Sequence, residues 1–177
     1  MRVPRLSPQQ VQQLTDWLAA YIREQRTCFR ENARPISADH ATTLQAFFPQ
    51  DILSQVRVVR GTVSQPSFYP QLRAIGIRNA PSFSDMAGIT FQDVVVHVEP
   101  LTKALLFHEL VHAVQYKHLG LSGFAERYVR GFLSGGSYEE IPLEKQAYGL
   151  EDRFTQNPRS PFSVEEDLIE WILRDQF

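Results

Sequence analysis

Residues 108–112 read HELVH and lie inside the apolar stretch LTKALLFHELVHAVQY (101–116). A helix turns once every 3.6 residues, so His108 and His112 would stand almost above one another on one face. Two imidazoles at that spacing can share one tetrahedral Zn²⁺ ion. Glu109 projects about 100° round from His108. There it can reach a water activated by the ion without taking a ligand position. The spacing therefore predicts metal-assisted hydrolysis with Glu109 as general base. Leu105, Leu106, Phe107, Leu110, Val111, Ala113 and Val114 make this helix apolar nearly all round, so it should be buried. An ionised Glu and two imidazoles are costly to bury without partners, and a cation removes that cost.

A catalytic zinc usually takes three protein ligands and a water. His118 lies ten residues after His108, at the spacing of the HExxHxxGxxH pattern, but Gln115 occupies the Gly position. In an unbroken helix His118 would sit about 15 Å along the axis and on another face. The only methionines, Met1 and Met86, are both upstream, so there is no downstream Met-turn. His118 reads better as a cation near a helix C-terminus. The other source is a Glu from a later helix. Glu144 opens E-x-x-A-Y (144–148), where the small Ala147 would allow close approach to the metal helix. Glu144, Tyr148 and Glu151 share one face. Glu139, Glu140 and Glu151 compete with Glu144 by composition.

These residues need elements to hold them. Ser7-Pro8-Gln9-Gln10 is a helix start, followed by an apolar stripe of Val11, Leu14, Leu18, Tyr21 and Ile22. A second helix is expected from about 37 to 47, ending before Pro49. QVRVVR (55–60) alternates as a strand does, and 72–77 is a shorter strand candidate. ITFQDVVVHV (89–98) reads as one strand, with Glu99-Pro100 opening the metal helix and Gly120 closing it. A helix over 123–133, a flexible joint at SGGS (134–137), a helix over 141–154 begun by Pro142, and a last helix over 164–173 behind Ser163 and Glu166 complete the order. The pattern predicts an α+β fold with a small sheet. The proline-rich stretch at 157–161 is a short linker, so 1–177 is expected to form a single domain. A substrate peptide would add to the sheet along 89–98, where His97 would project with Phe91, Asp93 and Val95. Tyr138 and Tyr148 are candidate donors to an oxyanion, with core packing as the plainer role. His40 is expected on a surface helix, and Cys28 carries no reactive-thiol signature.

With 177 residues, 43% hydrophobic and 21% charged, the chain has the composition of an ordered globular protein. A net charge of −2 gives no global attraction to nucleic acid or to anionic membranes. One cysteine excludes an internal disulfide and fits a reducing compartment. The start MRVPRLSPQQ lacks the apolar core of a signal peptide, and no run approaches the length of a membrane span. A cytoplasmic protein is expected, and export by a specialised secretion system would leave no such mark.

HELVHAVQY resembles the HELxHxxQ helix of a bacterial family of small gluzincin-type zinc metallopeptidases, whose members often occur beside contractile injection or toxin systems. FFPQDILSQVRVV (47–59) is similar to the family's FP…VRV segment, ITFQDVVVHV sits where the family has an edge strand, and PLEKQAY (142–148) is similar to its P-x-E-x-E-A segment. About 45–155 is family-like, with helical extensions at both ends. The resemblance implies a zincin-like domain, with His108 and His112 as metal ligands, Glu109 as catalytic base and Glu144 as third ligand. Gln146 departs from it, standing where members often carry a second acidic residue. The implied function is zinc-dependent hydrolysis of peptide bonds, with a peptide or protein as partner. The rival from another class is an inactive binding or secretion-cargo module whose metal only braces the fold.

Overall fold

Local capping signals set the helix starts. The Ser7 hydroxyl accepts from the Gln10 amide while the Gln10 side chain accepts from the Ser7 amide, and this reciprocal pair opens α1 (Pro8–Arg30). A computed structural model of the chain describes residues 5–98 and 100–174. After α1 come β1 (Arg34–Pro35), α2 (Ala38–Leu44), α3 (Gln50–Gln55), β2 (Arg57–Arg60), α4 (Tyr69–Ala74), β3 (Gly88–Phe91) and β4 (Val94–His97). Then follow α5 (Lys103–Gly135), α6 (Pro142–Gln156) and α7 (Val164–Leu173). The fold is α+β. Among the described residues, no helix is long and apolar enough to cross a membrane.

The strands form one mixed sheet in the order β1-β2-β4-β3. β2 and β4 run parallel, with Val58 opposite Val95, and β4 turns back antiparallel onto β3, with Phe91 opposite Val94. β4, inside the sheet, is buried on both faces. Phe91, Val94 and Val96 point toward α1, where Phe91 meets the rings of Tyr21 and Phe29. Val95 points the other way, into a cluster with Leu106, Phe107, Leu110 and Val111 of α5. Phe107 is stacked on Phe154 of α6 at 4.5 Å between ring centres. The end helices contribute to these clusters: Leu14, Leu18 and Ile22 of α1 to the first, Val164 and Leu168 of α7 to the second.

Several expectations from the sequence need correction. The single strand over 89–98 is a hairpin, with Gln92 and Asp93 at its corner and Gln92 at φ 61°. Asp93 is held there by α1: Arg26 Nη2 and Arg30 Nη1 lie 3.0 and 3.1 Å from its Oδ2. Phe91 and Val95 consequently lie on opposite faces, and the sheet edge nearest α5 is β3, with β4 inside. The strand expected at 72–77 is the end of helix α4. Its C-terminus closes through Ile77 N–H to Leu72 C=O (2.9 Å) and Gly76 N–H to Arg73 C=O (3.1 Å), with Gly76 at φ 92°. This is the paired capping pattern in which the flanking apolar residues, here Leu72 and Ile77, pack together. The helix expected over 37–47 stops at Leu44, and α3 forms beyond Pro49. The proposed joint at 134–137 is partly helical, since α5 runs to Gly135 and its cap, Gly136, donates to the Phe132 carbonyl at 2.8 Å. The helix entry expected at Glu99-Pro100 is at Thr102, whose hydroxyl accepts from the Leu105 amide at 3.1 Å, and Glu99 lies outside the described residues.

The end expected for the metal helix at Gly120 is present: this residue is non-helical, at φ 66° and ψ 171°, and α5 is two helices that meet there in a kink. This backbone region is open essentially to Gly alone. No atom lies within 4 Å of where a Cβ at this position would be, so the constraint is purely one of backbone. Gly120→Ala should therefore cost about 1–3 kcal/mol, measured by urea unfolding, with an unchanged m-value.

Candidate metal centre

The first arm of α5 brings His108, Glu109 and His112 into the core at 5%, 3% and 6% exposure, and α6 lays Glu144, 4% exposed, against them. α6 can come this close because Ala147, on its contact face, is small and fully buried. His108 Nε2 and His112 Nε2 are 3.1 Å apart, and Glu144 Oε2 lies 3.5 and 3.3 Å from them. These three residues could hold a metal ion, and among the described residues no further His, Cys, Asp or Glu joins the group.

The partners of the other ring nitrogens decide what the triangle can do. His108 Nδ1 is 3.0 Å from the Glu151 carboxylate, which can only accept. His112 Nδ1 is 2.8 Å from Gln115 Oε1. The orientation of that amide is fixed from its far end, because Gln115 Nε2 donates to the Leu143 carbonyl and to Gln146 Oε1, each at 3.0 Å. Both Nδ1 atoms must therefore carry the hydrogen, and both Nε2 atoms present lone pairs. Two lone pairs and a carboxylate oxygen converge on one buried point. The Tyr138 hydroxyl, 2.7 Å from Glu144 Oε2, donates to the carboxylate.

In the absence of a metal, protons must fill this role. Burial disfavours charge on His108, yet hydrogen bonds to Glu144 and Glu151 carry its pKa up to about 10. His112 is likewise opposed by burial and raised by Glu144. Burial pushes Glu144 up, but His112 and His108 outweigh it and hold the carboxyl well below the usual range. Two imidazolium ions this close repel one another, so a single divalent cation suits the three acceptors better than two protons do.

Glu109 lies beside this triangle. The Thr90 hydroxyl is 2.7 Å from Glu109 Oε2 and 3.0 Å from the Glu109 carbonyl, tying the carboxylate to β3. A Cβ at Gly88 would lie 2.7 Å from Glu109 Oε1, so this strand position must be Gly for the carboxylate to stay where it is. Burial raises the Glu109 pKa, against the pull of His108 and His112.

The other candidates separate clearly. His118 is 2.7 Å from Glu165 of α7 and outside the group. Glu140 pairs with Lys145 at 2.6 Å, and Glu139 is on the surface. Glu151, considered above as a rival ligand, orients His108. Gln146, a departure from the family pattern, closes the chain His112–Gln115–Gln146. Tyr148 lays its ring 4.5 Å from that of His108. His97 ends β4 opposite Gly88 on the edge strand, His40 lies beside its Ser37 cap, and Cys28 is exposed. Sequence reasoning missed Gln115, Thr90 and Gly88 as parts of the site. Gln115 carried a signal, its place one turn after His112, whereas the two residues of β3 carried none. The chain matches no family model, no curated protein and no solved structure. The resemblance noted above thus rests on the quoted residues alone.

Partners that orient metal-bound imidazoles typically contribute 10- to 100-fold in affinity. Glu151→Ala and Gln115→Ala should each weaken metal uptake by about that factor, while His118→Ala leaves it unchanged, as read by chelator competition. The pH dependence follows from His108. Its pKa is raised on folding, so its stabilising contribution in metal-free protein is complete below about 6.5 and is lost as pH rises through about 10. Chelator-treated protein should thus lose thermal stability on going from pH 7 to pH 10. Metal affinity should instead rise across that range, as competing protons leave.

Proposed function

We propose that the chain is a zinc-dependent metallopeptidase of gluzincin type, with His108, His112 and Glu144 as metal ligands and Glu109 as general base. One observation carries the reading: both Nε2 atoms and Glu144 Oε2, which also accepts from Tyr138, converge on one buried point. Tetrahedral coordination at about 2.0–2.1 Å sets ligand atoms about 3.3 Å apart, and here they are 3.1, 3.3 and 3.5 Å apart. Two imidazoles and a carboxylate are a donor set suited to Zn²⁺, and three protein ligands leave a position open for chemistry. When bound, the ion lowers the pKa of a water and polarises a carbonyl.

The remaining work falls to side chains of this chain. Thr90 holds Glu109 Oε2, leaving Oε1 unengaged by that hydroxyl to take a proton from the attacking water and deliver it to the leaving amine. Burial favours this shuttle because it brings the carboxyl closer to neutrality. β3 is a sheet edge, and Gly88 and Thr90 both face Glu109, so an extended peptide added along this edge would pass its scissile bond over the carboxylate. Tyr138 steadies the third ligand through Glu144 Oε2.

Glu109→Gln keeps size and most hydrogen bonding but cannot accept a proton. Its zinc content and thermal unfolding should match those of the parent, while cleavage of a peptide library falls about 10²- to 10⁴-fold. Equal cleavage by both proteins would remove Glu109 from the mechanism. Full zinc in both with cleavage by neither would favour a metal that braces α5 against α6 in a non-catalytic module.

A further inference from the structure

Away from the metal ligands, a cavity of about 60 Å³ lies between α1, α4 and the second arm of α5, walled by Leu14, Phe68, Leu72, Ile77, Val129 and Phe132. The only polar side chains lining it are Tyr69 and Tyr128, and the Tyr69 hydroxyl already donates to the Pro81 carbonyl. A space with such walls holds water poorly and takes apolar guests. Tyr69, Leu72, Ile77 and Ala80 also line a surface groove, so cavity and groove share this rim. The groove is uncharged but for two exposed arginines, Arg73 and Arg78. Arg73 stands in the last turn of α4 and Arg78 just beyond its cap, where the chain turns sharply at Gly76, φ 92°. No acidic residue lines the groove, and among the described residues neither guanidinium has an ion-pair partner. The Gln65 amide is already engaged, donating to Ser82 and Ser84 at 2.5 and 3.0 Å.

We propose that cavity and groove together bind a medium-chain aliphatic carboxylate, its chain in the cavity and its head at Arg73 and Arg78. Charge complementarity selects the head. Two unpaired guanidiniums at the rim of an otherwise uncharged groove favour an anion, and their planar forks pair with a carboxylate through two hydrogen bonds. The cavity selects the tail. A polar or charged tail would lose its hydration against apolar walls. The space suits one chain rather than the two of a phospholipid. Its inner wall is Leu18, Phe83 and Tyr128, which also border the space beside the metal ligands. Phe83 is held there by stacking on Tyr21 at 5.7 Å. The chain therefore stops short of the metal centre, and the proposal does not depend on the peptidase reading.

Calorimetry on the full chain tests this, with acetate, hexanoate, octanoate, octanol and octylammonium as ligands. Octanoate should bind chelator-treated and zinc-loaded protein equally well, since its head meets arginines and not the metal. Affinity should rise about fourfold per methylene from acetate until the cavity is full. Octanol should bind about 10- to 100-fold more weakly than octanoate, and octylammonium more weakly still. Changing both Arg73 and Arg78 to Ala, at exposed positions that leave the core intact, should bring octanoate down to the level of octanol and leave octanol unmoved. Ala80→Phe, which fills the shared rim, should remove both ligands. Zinc content should be the same in every variant. Absent binding, binding lost with the metal, indifference to chain length, or octanoate affinity unchanged in the arginine variant would each overturn the proposal. Binding to anionic phospholipid vesicles with none to octanoate would also overturn it, in favour of a membrane surface.

Discussion

Two imidazole nitrogens and a carboxylate oxygen face one another in the interior, and with both Nδ1 atoms engaged elsewhere the two nitrogens meet as acceptors unless a proton or a cation joins them. Burying unpaired acceptors is among the costlier things a fold can do. What forces the arrangement is not the ligands but the atoms behind them. Glu151 can only accept from His108, and the Gln115 amide is locked by the backbone carbonyl of Leu143. That carbonyl belongs to the first turn of α6, so the tautomer of an α5 histidine is set by how α6 docks. The same docking delivers Glu144. Ligand geometry and ring protonation are therefore one consequence of a single helix–helix contact.

The other half of the site comes from the sheet. Thr90 and Gly88 position the Glu109 carboxylate, and both lie on β3, an edge strand with no covalent reason to be near α5. β3 reaches that place because the chain reverses at Gln92–Asp93, where Arg26 and Arg30 of α1 grip the Asp93 carboxylate. Surface ion pairs contribute little by themselves. This one is half-buried and bidentate from Arg26, and it fixes a corner from which the whole edge strand hangs. The N-terminal helix thus shapes the site in two ways, by anchoring the hairpin and by bordering the space beside the metal ligands with Leu18 and Ile22.

The features determined by sequence alone are those whose physics is short-ranged. His108 and His112 share a face because four residues make about one turn, and Glu109 follows from the same arithmetic. Ser7 and Ser163 mark helix starts because a cap acts on amides two or three residues away, and Pro142 marks one because its fixed φ suits the first helical position. The α+β class followed from the same periodicities. Glu144 was narrowed to a face of α6 and then singled out by resemblance to a family, which is a weaker kind of knowledge than spacing.

Only the tertiary structure decided the rest. Glu151 and Glu144 lie on one face of one helix, and nothing in their spacing says which faces Nε2 and which faces Nδ1. The outcome depends on the angle and depth at which α6 meets α5, across 43 residues of chain between His108 and Glu151. Gln115 and Gln146 look like ordinary polar residues until their side chains meet, 31 residues apart, inside the core. The run ITFQDVVVHV reads as one strand, because alternation continues through its middle and nothing local marks the reversal at Gln92–Asp93. The ion pair from α1 breaks it. In each case a long-range contact chooses between local conformations of nearly equal energy, and a sequence read locally contains both.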